Sequence, residues 1–518
     1  MRFSASCFRS SCSQPSRPRP SRPRPSRRPR LGPILLSLLL AGCTVGPDYK
    51  KPDAPTPAVF KELQGWTPSH PADAMDKGAW WSVYQDPELD RLERMVDISN
   101  QTVKQYEAQY RNAVALVAEA RASLFPTASL TAGVSRSGSG ASGRGYSTSS
   151  TGTGGSSFGG SSHSTEYNVS GSIDWSLDVW GRIRRQVESS AAGAQVSAAD
   201  LANARLSAQA TLATDYFDLR AEDSLAQLLT DTVAAYQRAL QITENQYRAG
   251  TTSSIDYVTA LAQLQSTQAQ LIAVGVQRQQ FEHAIAVLTG QPPAALTIAP
   301  APLASMVPVV PAGLPSTLLQ RRPDIAAAER TMQEQNALIG VAIAAYYPDI
   351  SLSALGEYAG YPLGSLFNAS NQVWSLAASG SETLFDGGLR PAQVSAARAT
   401  YDAAVAGYRQ TVLTAFQQVE DALSDLRILE MQAKAEDIAV NSTRRAVQAT
   451  LNAYRAGTVA YTSVITEQTQ LLSDQQSALS VLQSRLVASV ALIQALGGGW
   501  TTADLPSTAA VKGPFKPY

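Results

Sequence analysis

Few residues of this chain have the types and spacing that catalysis or metal binding requires. The three histidines, His70, His163 and His283, lie in a Pro-rich stretch, a Ser/Gly-rich run and a helical segment, without plausible partners in spacing. Residues 138–143 match a dinucleotide-loop pattern and residues 155–159 match a hydrolase elbow. Both matches lie in low-complexity sequence without the strand–turn–helix context that these motifs need. We therefore predict no catalytic residues, no metal site and no enzymatic activity.

The residue whose context indicates covalent chemistry is Cys43. A basic stretch precedes the apolar run 31–40, which ends at Leu40-Ala41-Gly42-Cys43. This tetrapeptide resembles the bacterial lipobox, in which the cysteine is acylated on sulfur and becomes the new N-terminus. The run is about half the ~20 residues of a spanning helix, which is typical of a signal peptide. We expect residues 1–42 to be a lipoprotein signal peptide and the lipid on Cys43 to be the only cofactor. The alternative is a chance cleavage site beside an incidental cysteine.

Charge and the remaining cysteines exclude several other kinds of site. The chain has 42 basic and 42 acidic residues, but nine arginines and no acid lie in residues 1–42, which leaves 33 basic residues against 42 acidic ones. A net charge of −9 argues against nucleic-acid binding. Cys7 and Cys12 lie in the leader, so we expect neither a disulfide nor a cysteine metal site in the exported chain. The Arg-Pro tract 17–30 is unusual for a signal peptide, and we expect the true translation start further downstream.

The elements that would position functional residues form an internal repeat. The pentapeptide Tyr-Arg-Ala-Gly-Thr occurs at 247–251 and again at 454–458, a shift of 207, with no gap needed back to residue 186. A second register, with a shift of 222, relates residues 103–126 to residues 325–348. Such a repeat indicates a duplicated structural unit. The predicted segments are a signal peptide (1–42), a Pro-rich lipid-anchored segment (43–86), repeat 1 (87–290), a Pro-rich linker (291–322), repeat 2 (323–497) and a C-terminal tail (498–518).

Each repeat is predicted to contain a helix and then a long helical hairpin. The first helical region runs from about Pro87 to Leu124. Residues 183–247 contain no Pro, and a continuous helix of that span would be roughly 100 Å long. A coiled-coil seam with spacings of four and three runs along it: Leu229, Val233, Tyr236, Leu240, Thr243 and Tyr247. Gly250 and Gly457 supply left-handed C-caps. The hairpins are predicted at 183–288 and 390–496, with return helices starting at Ser253 or Ser254 and at Ser463.

Between these helices the hydrophobic period changes to two, which is typical of strands with one apolar and one polar face. Four segments show it: 128–134, 167–177, 350–358 and 374–379. They predict β-hairpins at about 127–177 and 349–385, with a flexible Ser/Gly-rich loop at 135–164. Transmembrane barrel strands need ~9–11 residues of such alternation. A half-buried sheet in a soluble domain alternates too, but these strands are separated by very long helices in an exported chain.

The number of strands implies an oligomer. An open sheet in lipid leaves two edges of unpaired backbone groups, each costing several kcal/mol, so membrane sheets must close. Four strands cannot close alone, and eight strands from two chains would be filled by their own side chains. Twelve strands from three chains would leave a lumen above a ring of long helices. The sequence therefore predicts a mainly α-helical protein with membrane β-strands that assembles as a homotrimeric conduit.

Four motifs in order resemble the NodT-type outer-membrane efflux lipoproteins, relatives of TolC and OprM. They are the segment from Cys43 to Pro52, Trp80 to Leu89, Arg321 to Arg330 and Leu384 to Gly388. The resemblance covers about residues 43–500. It implies a trimeric channel with a 12-stranded β-barrel continuous with a periplasmic α-helical barrel. It also implies a tripartite efflux pump with a periplasmic adaptor and an inner-membrane transporter of the RND type.

The resemblance further implies roles for residues at the two predicted hairpin tips, where the adaptor would dock. The implied docking positions are Arg248, Gly250, Thr251, Arg455, Gly457 and Thr458. The implied aperture gate candidates are Tyr247, Asp256, Tyr454 and Tyr461. The simpler interpretations are that the glycines only cap helices and that Asp256 only complements a helix N-terminus. The second turn, residues 459–461, has no acid where relatives often place one.

The implied location is the outer membrane of a Gram-negative bacterium, with the lipid-anchored chain projecting into the periplasm. The implied activity is passive export of small molecules, either drugs or toxic compounds. The alternative from another class is a periplasmic adaptor-like lipoprotein that never spans the membrane. Adaptors carry one helical hairpin flanked by small β domains, whereas this sequence predicts two hairpins with strands inserted between helices.

Overall fold

The structure, a computed structural model, describes residues 44–57, 59–62, 79–139, 162–308 and 315–513. The predicted signal peptide, Cys43, His70 and residues 140–161 of the predicted loop lie outside the described residues. The described residues, from Thr44 onward, form one compact unit.

The described helices and strands follow the repeat. In repeat 1 they are α1 (Pro87–Ser99), α2 (Gln101–Ala122), β1 (Thr127–Ser139), β2 (Ser162–Leu177), α3 (Arg182–Arg248) and α4 (Ser254–Leu288). The linker contains a helix that the sequence did not predict, α5 (Pro315–Arg321). In repeat 2 and the tail they are α6 (Pro323–Ala344), β3 (Asp349–Gly360), β4 (Gln372–Ser381), α7 (Leu389–Arg455), α8 (Tyr461–Ala495) and α9 (Thr508–Lys512).

Corresponding helices of the two repeats have equal lengths. Helices α3 and α7 each have 67 residues, α4 and α8 each have 35, and α2 and α6 each have 22. Both bounds of α3 and α4 recur 207 residues later, and both bounds of α2 recur 222 residues later. Helix α8 therefore begins at Tyr461, two residues before the predicted Ser463.

The first helical region is broken at Asn100, which the sequence analysis missed. Its N–H donates to the carbonyl of Val96 at the end of α1, while its side chain accepts from the N–H of Val103 in α2. Its side-chain amide also donates to the carbonyl of Leu288, 2.8 Å away. Asn100 thus ends one helix, caps the next and joins both to the end of α4.

The four strands form one antiparallel sheet in the order β1-β2-β3-β4. The first two strands run further into the Ser/Gly-rich segment than predicted, to Ser139 and from Ser162. The hydroxyls of Ser137 and Ser164 hydrogen-bond across this extension at 2.9 Å. Small polar residues can therefore continue a strand ladder, and composition alone wrongly indicated a loop there.

The main core joins both repeats at the level where α3, α6, α7 and α8 meet. Its fully buried large side chains include Trp80, Tyr216, Phe217, Tyr408 and Leu486. Among the described residues, α8 alone is long and apolar enough to cross a membrane on composition, yet 44% of its most apolar stretch is buried. It packs along α7 and α3, as a core helix does.

Candidate functional site: the open sheet and the helical tips

One face of the sheet is apolar and open. The register pairs the even-numbered residues of β1 with the odd-numbered residues of β2, and side chains alternate between the two faces along each strand. Leu130 and Val134 of β1 therefore lie on the same face as Ile173 of β2. Trp374 and Leu376 of β4 lie on this side too, and they are 71% and 76% exposed. Exposed aromatic and aliphatic side chains on consecutive strands are typical of a surface that faces lipid.

The opposite face of the sheet is lined by hydroxyl groups. Ser129 and Ser172 hydrogen-bond across β1 and β2 at 2.7 Å, and Ser351 and Ser379 do so across β3 and β4 at 2.7 Å. The sheet therefore separates an apolar surface from a hydroxylated one, as the wall of an aqueous pore requires.

Both edges of the sheet are open within the described part of the chain. β1 and β4 each have one paired neighbour, and three successive antiparallel pairings make them run in opposite directions. The β4 edge of one copy could therefore pair antiparallel with the β1 edge of another. The geometry allows closure by identical copies without a new strand direction.

Matched aspartates connect the strands to the two longest helices. Asp178 accepts from the N–H groups of Ile183 and Arg184, at 2.9 and 3.0 Å. Asp386 accepts from the N–H of Arg390 at 3.1 Å and from its guanidinium at 2.7 Å. The Arg390 guanidinium lowers the pKa of Asp386 to about 2. Both aspartates thus satisfy the free N–H groups at the start of α3 and α7.

At the far end of the helical hairpins lie the two tips. Gly250 and Gly457 have φ of +74° and +75°, and nothing lies within 4 Å of where a Cβ would be. The N–H of Thr251 donates to the carbonyl of Gln246, and its hydroxyl donates to the same carbonyl at 3.0 Å. Thr458 makes the equivalent pair of bonds. Each glycine is therefore a left-handed helix cap exposed at a tip.

A hydrogen bond is among the contacts that join the two hairpins near these tips. The hydroxyl of Tyr454 donates to the side-chain carbonyl of Gln246 at 2.6 Å, and its ring lies 5.2 Å from that of Tyr461. Burial raises the pKa of Tyr454, and the charge of Asp256 adds to this effect. Burial also raises the pKa of Tyr461. Tyr454 therefore stays a neutral donor that ties α7 to α3.

The other predicted tip residues make separate contacts within repeat 1. Tyr247 stacks on Tyr257, with ring centroids 5.8 Å apart. Asp256 accepts from the hydroxyl of Thr252 at 2.7 Å. Arg248 pairs with Glu244 at 2.5 Å. The structure brings Tyr454 and Tyr461 together, but it does not join Tyr247 or Asp256 to them by a direct bond.

Gln246 is the tip residue that sequence reasoning missed. Its counterpart 207 residues later is Ala453, so the repeat gives no signal for it. Arg455 is exposed at the second tip. His163 on β2 and His283 on α4 are exposed and separate, and no group of three or more potential metal ligands occurs among the described residues.

Comparison with known proteins gives consistent matches over most of the chain. The sequence profile of the outer membrane efflux protein family matches residues 95–291 and 314–498. The probable efflux pump outer membrane protein TtgC of Pseudomonas putida KT2440 is 29% identical over 474 residues, 90% of this chain and 94% of TtgC. The solvent efflux pump outer membrane protein SrpC of Pseudomonas putida is 30% identical over 484 residues, 91% of this chain and 98% of SrpC.

A solved structure agrees with these matches. The outer-membrane channel OprN superimposes with a TM-score of 0.79 at 29% identity. The superposition covers 88% of this chain and 100% of the OprN chain.

Proposed function

The chain belongs to the outer membrane efflux protein family, and we propose that it is the outer-membrane channel of a tripartite efflux system. One observation carries the proposal. A sheet that is apolar on one face and hydroxylated on the other continues directly into two equally long helical hairpins. Such a chain has both the lipid-facing wall and the helical extension that a conduit across the outer membrane and periplasm needs.

The proposed assembly is a homotrimer. The two open edges of each sheet favour closure by further copies, and three copies give twelve strands and a lumen. The long helices would then stand as a ring beneath the barrel. The apolar side chains exposed on α4 and α7, among them Ile272, Val276, Met431 and Ile438, would be covered by neighbouring copies.

The proposed partners are a periplasmic adaptor, which would dock on the two tips, and an inner-membrane transporter of the RND type. The chain has no nucleotide-binding loop in a suitable context, so the energy would come from those partners and the channel itself would be passive. Opening would be a two-state change, in which the adaptor binds the open tip better than the closed one. The exported compounds would be small toxic molecules, because SrpC serves solvent efflux.

We propose that a lipid on Cys43 attaches the chain to the membrane in addition to its membrane strands. Thr44, the next residue, lies against Gly181 where β2 gives way to α3. Mass spectrometry of the purified chain tests this attachment: we expect an acylated N-terminal peptide starting at Cys43, and an unmodified Cys43 would refute the lipid.

A deletion strain tests the proposed function. Loss of the chain should increase susceptibility to several unrelated small toxic compounds, and a plasmid copy should restore resistance. An unchanged susceptibility profile would contradict a role in efflux.

Surface labelling distinguishes the channel from a periplasmic adaptor. A cysteine is placed within residues 140–161 and treated with a membrane-impermeant reagent. Labelling in intact cells would support the channel, whereas labelling only in broken cells would favour the adaptor.

A further inference from the structure

Residues 44–57, which we name the N-terminal segment, pack across three helices of their own chain. Arg185 of α3 and Asn336 of α6 donate to backbone carbonyls of this segment, at 3.2 and 2.9 Å. The ammonium group of Lys51 lies over the ring of Tyr408 in α7, 5.8 Å from its centroid. Because α6 packs along both α3 and α7, the segment covers the groove that these three helices form.

The C-terminal tail packs at the equivalent place of the first repeat. Val511 of α9 is 3% exposed and packs on Val117 of α2 and Ala191 of α3, beside Val114. Val114 is the counterpart of Asn336, which holds the N-terminal segment, because it lies 222 residues earlier. The tail therefore covers α2 and α3 where the N-terminal segment covers α6 and α7.

Both ends of this part of the tail are fixed to the chain. The side-chain amide of Gln195 in α3 donates to the carbonyl of Pro506 at 2.9 Å. The guanidinium of Arg121 in α2 donates to the carbonyl of Gly513 at 2.9 Å. Residues 506–513 are thus held in place by their own chain, and their outer surface is preorganised for a partner.

The groove under the tail has two helical walls instead of three. Helix α6 packs along α3 and α7, whereas its counterpart α2 packs along α3 and, among the described residues, along no second long helix. The missing neighbour of α2 takes the place that α3 has beside α6. The repeat makes α7 the counterpart of α3. The α7 of the same chain lies elsewhere, so the third wall would come from a second copy.

The two faces that would meet are exposed in the single chain. Ala199 of α3 is 0% exposed in a cluster with Ala326 of α6, whereas their counterparts, Ala406 of α7 and Lys104 of α2, are exposed. Other close approaches of α3 to α6 also have exposed counterparts on α7 and α2: Ala392, Thr400, Asn112 and Ala118. A second copy would bury them as the fold already buries their equivalents.

We propose that residues 506–513 clamp neighbouring copies together by binding the start of α7 of a second copy. The tail does between copies what the N-terminal segment does within one copy. The binding region on α7 is centred on Ala392, because Ala392 is the counterpart of Arg185. On α9 the exposed residues beside Val511 are Ala509 and Ala510, whose small side chains allow close approach. The inference rests on the proposed function, since it assigns a surface of the proposed homotrimer.

Photo-crosslinking of the purified protein tests which chain the tail touches. The photoreactive residue p-benzoylphenylalanine replaces Ala509 or Ala510, and mass spectrometry locates the cross-link after irradiation. We expect a product of twice the chain's mass, cross-linked within residues 389–400 of α7. The same probe at the exposed Asp53 of the N-terminal segment is the control and should give no product of double mass.

The outcomes separate the clamp from the proposed channel. Cross-links confined to single chains in a trimeric preparation would overturn the clamp and leave the proposed channel intact. A preparation without trimers would refute both. Cross-links from the tail to α7 of a second copy would support the clamp even if a deletion strain showed no efflux defect.

Releasing the tail tests what it contributes to assembly. Val511→Asp buries a charge in the cluster that holds α9, so the tail should detach. We expect trimers to dissociate about ten-fold faster on heating in detergent, as for the loss of one well-packed interface contact. Helical content by circular dichroism should stay unchanged. Ala503→Asp adds the same charge to an exposed part of the tail and should dissociate at the wild-type rate.

Truncation repeats the comparison without relying on that substitution. A chain ending at Leu505 lacks α9 altogether, and its trimers should also dissociate about ten-fold faster. Trimers of the truncated chain that last as long as those of the wild type would overturn the proposal.

Discussion

The most unusual side chain in the core is Glu93 of α1. It is 0% exposed, and neither carboxylate oxygen has a hydrogen-bond partner. Burial raises the pKa of Glu93 well above its usual value, and the nearby carboxylate of Asp97 raises it further. A buried carboxyl without a cation is stable only in the neutral form. Glu93 is therefore protonated where ordinary glutamates are charged.

Replacing this carboxyl by an amide should change the pH dependence of stability. Because the folded pKa of Glu93 lies above the unfolded one, its protonated form stabilises the fold at low pH, and this contribution is lost as pH rises through the folded pKa. Glu93→Gln should therefore raise the unfolding temperature at pH 8 by several degrees but not at pH 4. The exposed Glu119→Gln is the control. A difference that does not depend on pH would contradict a neutral Glu93.

The Tyr454–Gln246 hydrogen bond gives a second prediction at single residues. Tyr454→Phe keeps the ring against Tyr461 but removes the bond that ties α7 to α3, which should cost the tip arrangement of this structure about 0.5–1.5 kcal/mol. We expect a higher open probability in planar bilayers. Gln246→Leu should have a similar effect and the double variant little more, because both changes remove one contact. Tyr257→Phe is the control, and an additive double variant would show that the two residues act separately.

At the scale of helices and strands, the sequence predicted most of the elements but not their interruptions. The internal repeat and the helical period of apolar residues predicted both helical hairpins. Their helices have the same lengths in the two repeats, so the repeat could be followed without a gap. The break at Asn100 was missed although asparagine is a preferred N-cap residue, and its bond to Leu288, far away in sequence, could not be predicted. The extended ends of β1 and β2 were missed because a composition rich in serine and glycine is typical of loops. In this protein, hydrogen-bonded pairing with the neighbouring strand determines that these residues are β-strand.

The two faces of β4 can be tested by adjacent substitutions. Leu376 lies on the apolar face and Ser375 on the hydroxylated one. Leu376→Lys should prevent stable membrane insertion, since a lysine facing the middle of the bilayer costs about 2–4 kcal/mol. Ser375→Lys should insert normally and alter only conductance. Membrane fractionation in urea measures both, and insertion of Leu376→Lys with loss of Ser375→Lys would reverse the assigned faces.

The second tip offers a test of docking. Gly457 combines a left-handed backbone with open space around it. Gly457→Ala should cost about 1–2 kcal/mol of local strain and keep efflux. Gly457→Trp bears the same strain but adds a large side chain to the proposed docking surface, so it should abolish efflux without lowering the yield of trimer. Loss of the trimer would instead assign Gly457 to folding.

For the whole molecule, the cost of unpaired backbone groups in lipid and the number of strands predict an assembly from the sequence. The open edges of β1 and β4, running in opposite directions, agree with closure by identical copies. The different partners of Arg220 and Arg427, the carbonyl of Ala299 and the carboxylate of Glu62, could not be predicted. They depend on which extended segment meets Arg220 and which meets Arg427, and the repeat makes those two arginines look the same.

Electron microscopy of the purified chain in lipid nanodiscs tests the central claim most directly. We predict particles with threefold symmetry, in which one twelve-stranded barrel continues into a ring of helices. A population of stable single chains in lipid, or particles of any other symmetry, would contradict it.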